Sequence, residues 1–359
     1  MAEASARADR KVRLRDAAAG VAVLALAVAA PIARADERGI SFWLPGQFGS
    51  LAAVPLQPGL SVTEIFYITS VSAGGDIALA HEIALGRVNP TLNNLSGSLH
   101  AYVPMTLGNA TYVYATPVLG GQASLGMTGL YARNTTDISA TISGTLGPIP
   151  FSRSDVLSQT VEGFGDLYPT ATLRWNKGVD NFMVYATGDI PVGLYNSSNL
   201  ANIGIGHGAI DSGAGYTYLN PQTGHEFSVV TGLTYNFINP SKRYQSGVDW
   251  HLDWGAAQFI NKAVFIGAVG YVYQQVTADS GAGDLLGPFK SNVIGVGPQV
   301  GVIFPMQTAI GPMQGYLNLK GYAEFDHHDR PGGWNAWITL SISPVAQTPP
   351  AATPTLAHK

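Results

Sequence analysis

Residues 244–254 read Tyr-Gln-Ser-Gly-Val-Asp-Trp-His-Leu-Asp-Trp, and from Val248 onward apolar and ionisable side chains alternate. One set is Val248, Trp250, Leu252 and Trp254, and the other is Asp249, His251 and Asp253. Successive side chains of a strand point to opposite faces, so the pattern predicts a strand with one apolar and one charged face. Such a strand suits a wall between lipid and water. It also suits a soluble sheet whose apolar face lies in the core, and the rest of the chain must decide between them.

The composition favours the membrane wall. Only 12% of the 359 residues are charged, against about 25% in a typical soluble protein. A barrel with a lipid-facing band tolerates so few charges, because that band needs none for solubility. After residue 35 no apolar run approaches the roughly 20 residues of a membrane-spanning helix, so a helical membrane protein is excluded. The absence of cysteine agrees with an oxidising envelope compartment.

The first 35 residues have the three parts of an export signal. A basic region precedes the apolar core at 17–32, and Ala33-Arg34-Ala35 supplies a small-x-small cleavage pattern. No Arg-Arg pair is present, which favours the general secretory route. The alternative is a single membrane anchor. Cleavage after Ala35 leaves 13 Lys+Arg against 20 Asp+Glu, a net charge of −7, so nucleic acid is excluded as a partner.

Beyond residue 60 the chain is a series of strands separated by turn residues. Strands are predicted at 60–71, 99–116, 122–134, 159–175, 181–191, 206–220, 225–237, 244–259, 264–276, 291–304, 314–325 and 335–343. The fold class is therefore all-β, an antiparallel transmembrane barrel of about twelve strands over 60–343. Fourteen is the alternative if residues 135–143 form part of another hairpin. Several of these strands exceed ten residues, as a membrane crossing requires.

The two ends of the mature chain lack this pattern. Residues 36–59 are irregular yet apolar, with Phe42, Trp43, Leu44 and Phe48. Either this segment or the loop at 72–97 is therefore expected to plug the barrel in part. Residues 344–359 are mostly Pro, Ala and Thr and are predicted to form a disordered tail.

Several short motifs carry a family resemblance over residues 60–343. They are Gly163-Phe164-Gly165-Asp166, Pro191-Val192-Gly193-Leu194-Tyr195, Asn236-Phe237-Ile238-Asn239, Tyr244-Gln245-Ser246-Gly247, the run from Gly270 to Gly281, Gly295-Val296-Gly297-Pro298-Gln299, and Tyr322-Ala323-Glu324-Phe325 followed by Arg330. With these motifs the chain resembles the bacterial outer-membrane proteins of the phenol meta-pathway family. The resemblance implies a β-barrel in the outer membrane that passes small hydrophobic or aromatic molecules.

The inward face of such a barrel supplies the candidate site residues. If Asp249, His251 and Asp253 face inward, other strands offer charged neighbours. These are Asp166, Arg174, Lys320 and Glu324. Charges inside a barrel must pair or stay hydrated, so they are expected to form a network across the lumen, and direct contact with a ligand is the alternative. Inward aromatic residues, Tyr316 and Tyr322 among them, are the candidates to line a path for aromatic solutes.

No constellation in the sequence favours catalysis or metal binding. The loop at 279–284 lacks the spaced carboxylates of a calcium loop, and His327 and His328 are adjacent, so their side chains diverge in a strand. Gly-x-Ser-x-Gly and His-Glu-x-x-His are both absent from the sequence. We therefore expect a non-enzymatic channel for passive uptake, without cofactor or metal, whose partners are outer-membrane lipid and a small solute. An outer-membrane lipase or acyltransferase and a secreted adhesin or lectin are the alternatives.

Overall fold

The computed structural model describes residues 41–74, 95–146, 149–283, 290–309 and 311–345. Twelve strands occupy these ranges: β1 (Gly59–Ala73), β2 (Leu95–Val113), β3 (Gln122–Leu146), β4 (Ile149–Lys177), β5 (Asp180–Asp189), β6 (Ala209–Leu219), β7 (His225–Asn236), β8 (Asp249–Phe259), β9 (Val264–Gln275), β10 (Asn292–Thr308), β11 (Gly311–His328) and β12 (Gly332–Pro344). No helix in the described part of the chain is long and apolar enough to cross a bilayer.

The strands form one closed barrel. Each strand pairs antiparallel with its neighbours in sequence, and β1 pairs with β12 to complete the ring. For example, Phe66 of β1 lies opposite Ile338 of β12 and Thr106 of β2. The prediction of an all-β antiparallel barrel with about twelve strands is confirmed. Residues 135–143 add no further hairpin, because they continue β3.

Three strands differ from the prediction by five residues or more at one end. Residues 244–248 do not belong to β8, which begins at Asp249. The bridges Asn239–Tyr244 and Gln245–Ser280 hold that stretch instead, and a Cβ at Gly247 would lie 2.0 Å from the carbonyl oxygen of Thr277. The other two differences are β3 and β4, which run for 25 and 29 residues and extend past the predicted strands at 122–134 and 159–175.

The two ends of the barrel differ in the length of their connections. One end has the short turns at 178–179, 220–224 and 260–263 and the connection at 114–121, and the other has the longer connections at 190–208, 237–248 and 276–291 and a short one at 329–331. In bacterial outer-membrane barrels the short turns face the periplasm and the long loops face outward. Residues 41–58 enter β1 at the short-turn end, where β12 also finishes.

The outward and inward faces differ in polarity. On β8, Trp250, Leu252 and Trp254 face outward and are partly exposed, whereas Asp249, His251 and Asp253 are 6%, 0% and 1% exposed. Other outward side chains in the same band are Val62, Phe66, Val184, Leu233, Ile266, Leu319 and Ile338, all exposed. An apolar outer surface around a charged interior is the arrangement of a barrel in lipid. A soluble sheet would have the two faces reversed.

Some predicted segments fall outside the described residues. They are the signal peptide at 1–35, residues 75–94 of the loop at 72–97, and the tail beyond residue 345. Residues 72–73 end β1 and residues 95–97 begin β2. Of the predicted irregular segment at 36–59, the structure describes residues 41–59.

Candidate functional site in the barrel interior

The segment at 41–58, here called the inner segment, packs against side chains that point into the barrel. The carboxylate of Asp253 accepts hydrogen bonds from the backbone N–H groups of Gly46 and Phe48, at 3.0 and 3.1 Å. Lys320 Nζ donates to the carbonyl oxygens of Gly46, Gln47 and Phe48, at 2.5, 3.0 and 3.1 Å. Two side chains of opposite charge therefore bind both polarities of the backbone at one short stretch.

Glycine is required at position 46, where the hydrogen bonds to Asp253 and from Lys320 meet. Gly46 has a φ of +86°, and a Cβ there would lie 2.9 Å from the rings of both Tyr271 and Tyr322. The hydroxyl of Tyr322 also donates to the carbonyl oxygen of Gly46 at 3.1 Å. The left-handed conformation and the close approach to two rings both exclude a side chain at this position.

Further along, the inner segment is held by neutral and acidic side chains of other strands. Leu51 N–H donates to Glu226 Oε1 at 2.9 Å, and Ala53 N–H donates to Thr217 Oγ1 at 3.0 Å. Gln299 Nε2 donates to Ser50 Oγ at 2.7 Å. A buried segment without regular secondary structure must satisfy its backbone groups with side chains. Inward polar residues on β6, β7 and β10 meet that need.

The imidazole of His251 supports the same segment from one side. Its Nε2 lies 2.9 Å from Asp211 Oδ2, and the Trp43 ring stacks on it with centroids 3.4 Å apart. Asp211 also accepts a hydrogen bond from Thr234 Oγ1 at 2.6 Å. Both His251 and Asp211 are 0% exposed, and the indole covers the imidazole face. This pair therefore positions Trp43.

Between Asp211 of β6 and His251 of β8, the intervening strand β7 has a glycine, Gly232, and so no side chain. A Cβ on Gly232 would lie 2.9 Å from His251 Cε1 and 2.2 Å from the hydroxyl of Tyr185. Glycine thus lets β6 and β8 side chains meet across β7. The sequence analysis named Trp43 only as part of the irregular apolar segment, and it missed Asp211, although the alternation of Ile210 and Asp211 would have predicted an inward carboxylate.

The other predicted residues have separate neighbours around the wall. Asp249 accepts from Asn236 Nδ2 at 2.9 Å, and Glu324 accepts from the Tyr271 hydroxyl at 2.6 Å and from Gly333 N–H at 2.8 Å. Arg174 Nη1 donates to Thr172 Oγ1 at 2.6 Å, and Tyr316 stacks on Phe265 at 6.4 Å. Of the predicted residues, the structure brings Asp253, Lys320 and Tyr322 together at the inner segment.

Asp166 holds a second irregular segment. Its carboxylate accepts from Gly193 N–H at 2.7 Å and from Ile205 N–H at 2.9 Å. Both partners lie in the connection at 190–208, here called the outer loop, where Ala201 and Ile203 are fully buried. The outer loop therefore folds into the long-loop end of the barrel.

An open pocket of about 190 Å³ remains between the inner segment and the wall formed by β1 to β5. Its lining includes the rings of Phe42, Trp43, Phe48, Tyr168 and Tyr185, with Ile65, Leu107, Leu130 and several threonines. Phe42 and Tyr168 have ring centroids 5.9 Å apart, and Phe48 and Tyr185 are 5.7 Å apart. An apolar cavity of about 150 Å³ is sufficient to bind benzene, so this pocket is large enough for one aromatic ring.

The predicted path residues do not coincide with this pocket. Tyr322 packs on Tyr271 at 4.9 Å between ring centroids, and Tyr316 packs on Phe265. The rings that line the pocket come from the inner segment and from Tyr168 and Tyr185. The strand register cannot be read from the sequence, so the sequence could not show which inward tyrosines face an open space.

A closed twelve-stranded barrel with an apolar outer band and a charged interior defines an outer-membrane β-barrel protein. The family model described as "Putative MetA-pathway of phenol degradation" matches residues 89–340, more than half of the chain. The chain belongs to this family, as the resemblance of its motifs predicted. No curated protein sequence matches the chain.

A solved structure shows the same fold. The COG4313 outer membrane channel from Pseudomonas putida F1 matches with a TM-score of 0.58 and 13% identity, covering 82% of this chain and 98% of that one. A Pseudomonas aeruginosa FadL homologue matches with a TM-score of 0.36 and 10% identity, over 87% and 98% of the two chains. The translocator domain of the autotransporter NalP from Neisseria meningitidis gives 0.35 and 10%, over 80% and 90%.

Proposed function

We propose that the protein is a channel for passive uptake of small hydrophobic compounds, aromatic ones in particular, across the outer membrane. The observation that carries this proposal is the aromatic-lined pocket inside the barrel, between the inner segment and the β1–β5 wall. Aromatic rings stack favourably on such side chains. The description of the family, and the solved outer membrane channel from Pseudomonas putida F1, support the same function.

The inner segment is the plug of this channel in our proposal. Residues 46–53 are held by hydrogen bonds to side chains and not by strand pairing. The plug can therefore move out of its position while every strand stays paired. Asp253, Lys320 and Tyr322 hold it directly, and His251 holds it through Trp43. Asp249, Glu324, Arg174 and Tyr316 shape the surrounding wall, and Asp166 fixes the outer loop.

The mode of action requires no catalysis. A concentration gradient drives the solute inward, and the partners of the protein are outer-membrane lipid and the solute itself. The only histidine facing inward on β8, His251, is covered by Trp43 and paired with Asp211. We therefore propose a non-enzymatic protein that reaches the outer membrane by the general secretory route after loss of residues 1–35.

Uptake into cells with a lipopolysaccharide outer leaflet tests this function, because that leaflet slows hydrophobic solutes. Cells that make the full chain should take up radiolabelled toluene several-fold faster than cells with an empty vector. A variant without two of the pocket rings, Tyr168→Ala with Tyr185→Ala, should keep the barrel. Its cells should take up toluene only slightly faster than cells with the empty vector. Equal uptake with and without the protein would contradict the proposed function.

A further inference from the structure

Asp189 is a buried carboxylate without a hydrogen-bond partner beside the pocket. It is the last residue of β5 and only 9% exposed. Both of its carboxylate oxygens are buried, and neither accepts a hydrogen bond from any part of the chain that the structure describes. A buried carboxylate in this state is costly, so a group that donates a hydrogen bond to it would gain affinity.

The strand register places Asp189 at the outer rim of the pocket. Thr170 of β4 lies opposite Thr187 of β5, and both line the pocket. The bridge Leu167–Ile190 continues the pairing, so Asp189 lies across from Tyr168, whose ring also lines the pocket. Alternate residues of a strand share a face and stand about 7 Å apart, which puts Asp189 one step outward from Thr187 on the same inner face.

The neighbouring carboxylate shows that the orphaned state is particular to Asp189. Asp166 also points inward near the outer loop, but two backbone N–H groups occupy its oxygens. Within this part of the wall, the two carboxyl oxygens of Asp189 are therefore left for a ligand to meet.

We propose that Asp189 determines specificity in the pocket, by accepting a hydrogen bond from the ring substituent of the solute. The preferred class is then a neutral aromatic ring that carries an O–H or N–H group. The ring lies among Phe42, Trp43 and Tyr168, and its donor points toward the outer end. This inference rests on the proposed function and refines its substrate class.

Dissociation constants of phenol and toluene, measured by ligand-observed NMR on the refolded full chain in detergent, test the proposal. Asp189→Leu keeps the number and branching of the side-chain heavy atoms and removes the acceptor. It should weaken phenol binding at least about fivefold, the scale of one hydrogen bond, and change toluene binding less than about twofold. Asp180→Asn is the matched control. It removes one charge from the same strand, on the outward face at the opposite end, and should change neither constant.

Each outcome bears on one proposal or both. An unchanged ratio of phenol to toluene affinity in Asp189→Leu overturns the specificity role and leaves the channel standing. A wild-type chain that binds neither compound overturns both proposals. If Asp189→Leu fails to fold, Asp189→Ala decides, because it also removes the acceptor and should weaken phenol binding more than toluene binding. An equal loss for the two compounds overturns the role of Asp189.

Discussion

At the scale of single residues, charged side chains in the interior bind backbone groups of irregular segments. Lys320 binds three carbonyl oxygens of the inner segment, and Asp253 binds two of its N–H groups. Asp166 does the same for the outer loop. Irregular backbone buried in a barrel has no ladder partners, so these charges provide what strand pairing provides elsewhere.

The sequence predicts which way these residues face but does not predict their partners. The inward direction of Asp253 and His251 follows from the period of two in residues 248–254. Gly46, however, is 207 positions from Asp253 in the chain. Such a contact depends on barrel closure and on the entry of the inner segment, neither of which leaves a local pattern.

Replacing Lys320 with methionine should release the inner segment. The change removes three charge-assisted hydrogen bonds of about 1.5–3 kcal/mol each, which are not additive, and leaves carbonyl groups unpaired. A net loss of about 2 kcal/mol raises the released population about 30-fold. Single-channel recording in planar bilayers should show a correspondingly higher open probability. Lys262→Met in the exposed turn at 260–263 is the control. An open probability that is equal in the two variants would contradict the role of Lys320 in holding the inner segment.

At the scale of elements, alternation predicts the strands well where each has a polar and an apolar face. The predicted strand at 225–237 corresponds closely to β7, and the one at 264–276 to β9. The prediction was wrong where the flanking residues are polar and small. Residues 135–143 and 152–158 are rich in Thr and Ser and lie in β3 and β4, whose pairing with each other extends these strands.

Two side chains of β4 hold the outer loop. Asp166 accepts from Gly193 N–H and Ile205 N–H, and Gln159 Oε1 accepts from Ala201 N–H at 3.0 Å. Asp166→Ala removes the acceptor for Gly193 N–H and Ile205 N–H, and each unpaired group costs about 1–3 kcal/mol. The loop should therefore open more often, and chymotrypsin should cleave after Tyr195 about tenfold faster. Asp166→Asn keeps one acceptor oxygen and should give an intermediate rate. Cleavage at the wild-type rate in Asp166→Ala would show that other contacts fix the loop.

At the scale of the whole molecule, the barrel has the reverse polarity of a soluble protein, because its apolar side chains face outward and its charged side chains face inward. Its closed ring leaves no strand edge unpaired between β1 and β12, and its outward face is apolar. Composition, strand count and alternation are sufficient to predict this architecture, because all three follow from the bilayer. The position of the pocket is not predictable in this way, since it depends on the space that the inner segment leaves empty.

The lipid-facing band gives a stability prediction. β5 has ten residues, the length of one membrane crossing, so its outward Val184 lies near the middle of the bilayer. Val184→Arg should lower the free energy of unfolding in phospholipid vesicles by about 2–4 kcal/mol. Val192→Arg, in the exposed outer loop, should lower it by at most about 1 kcal/mol. Equal losses in urea titrations of the two variants would place β5 outside the lipid.

A disulfide between the inner segment and the wall tests most directly whether the inner segment closes the channel. The chain has no cysteine, and the 3.0 Å hydrogen bond from Ala53 N–H to Thr217 Oγ1 brings the two residues within disulfide reach. In planar bilayers the oxidised Ala53→Cys, Thr217→Cys variant should stay closed, and reduction should restore wild-type openings. Openings of equal size and frequency before and after reduction would contradict a channel closed by residues 41–58.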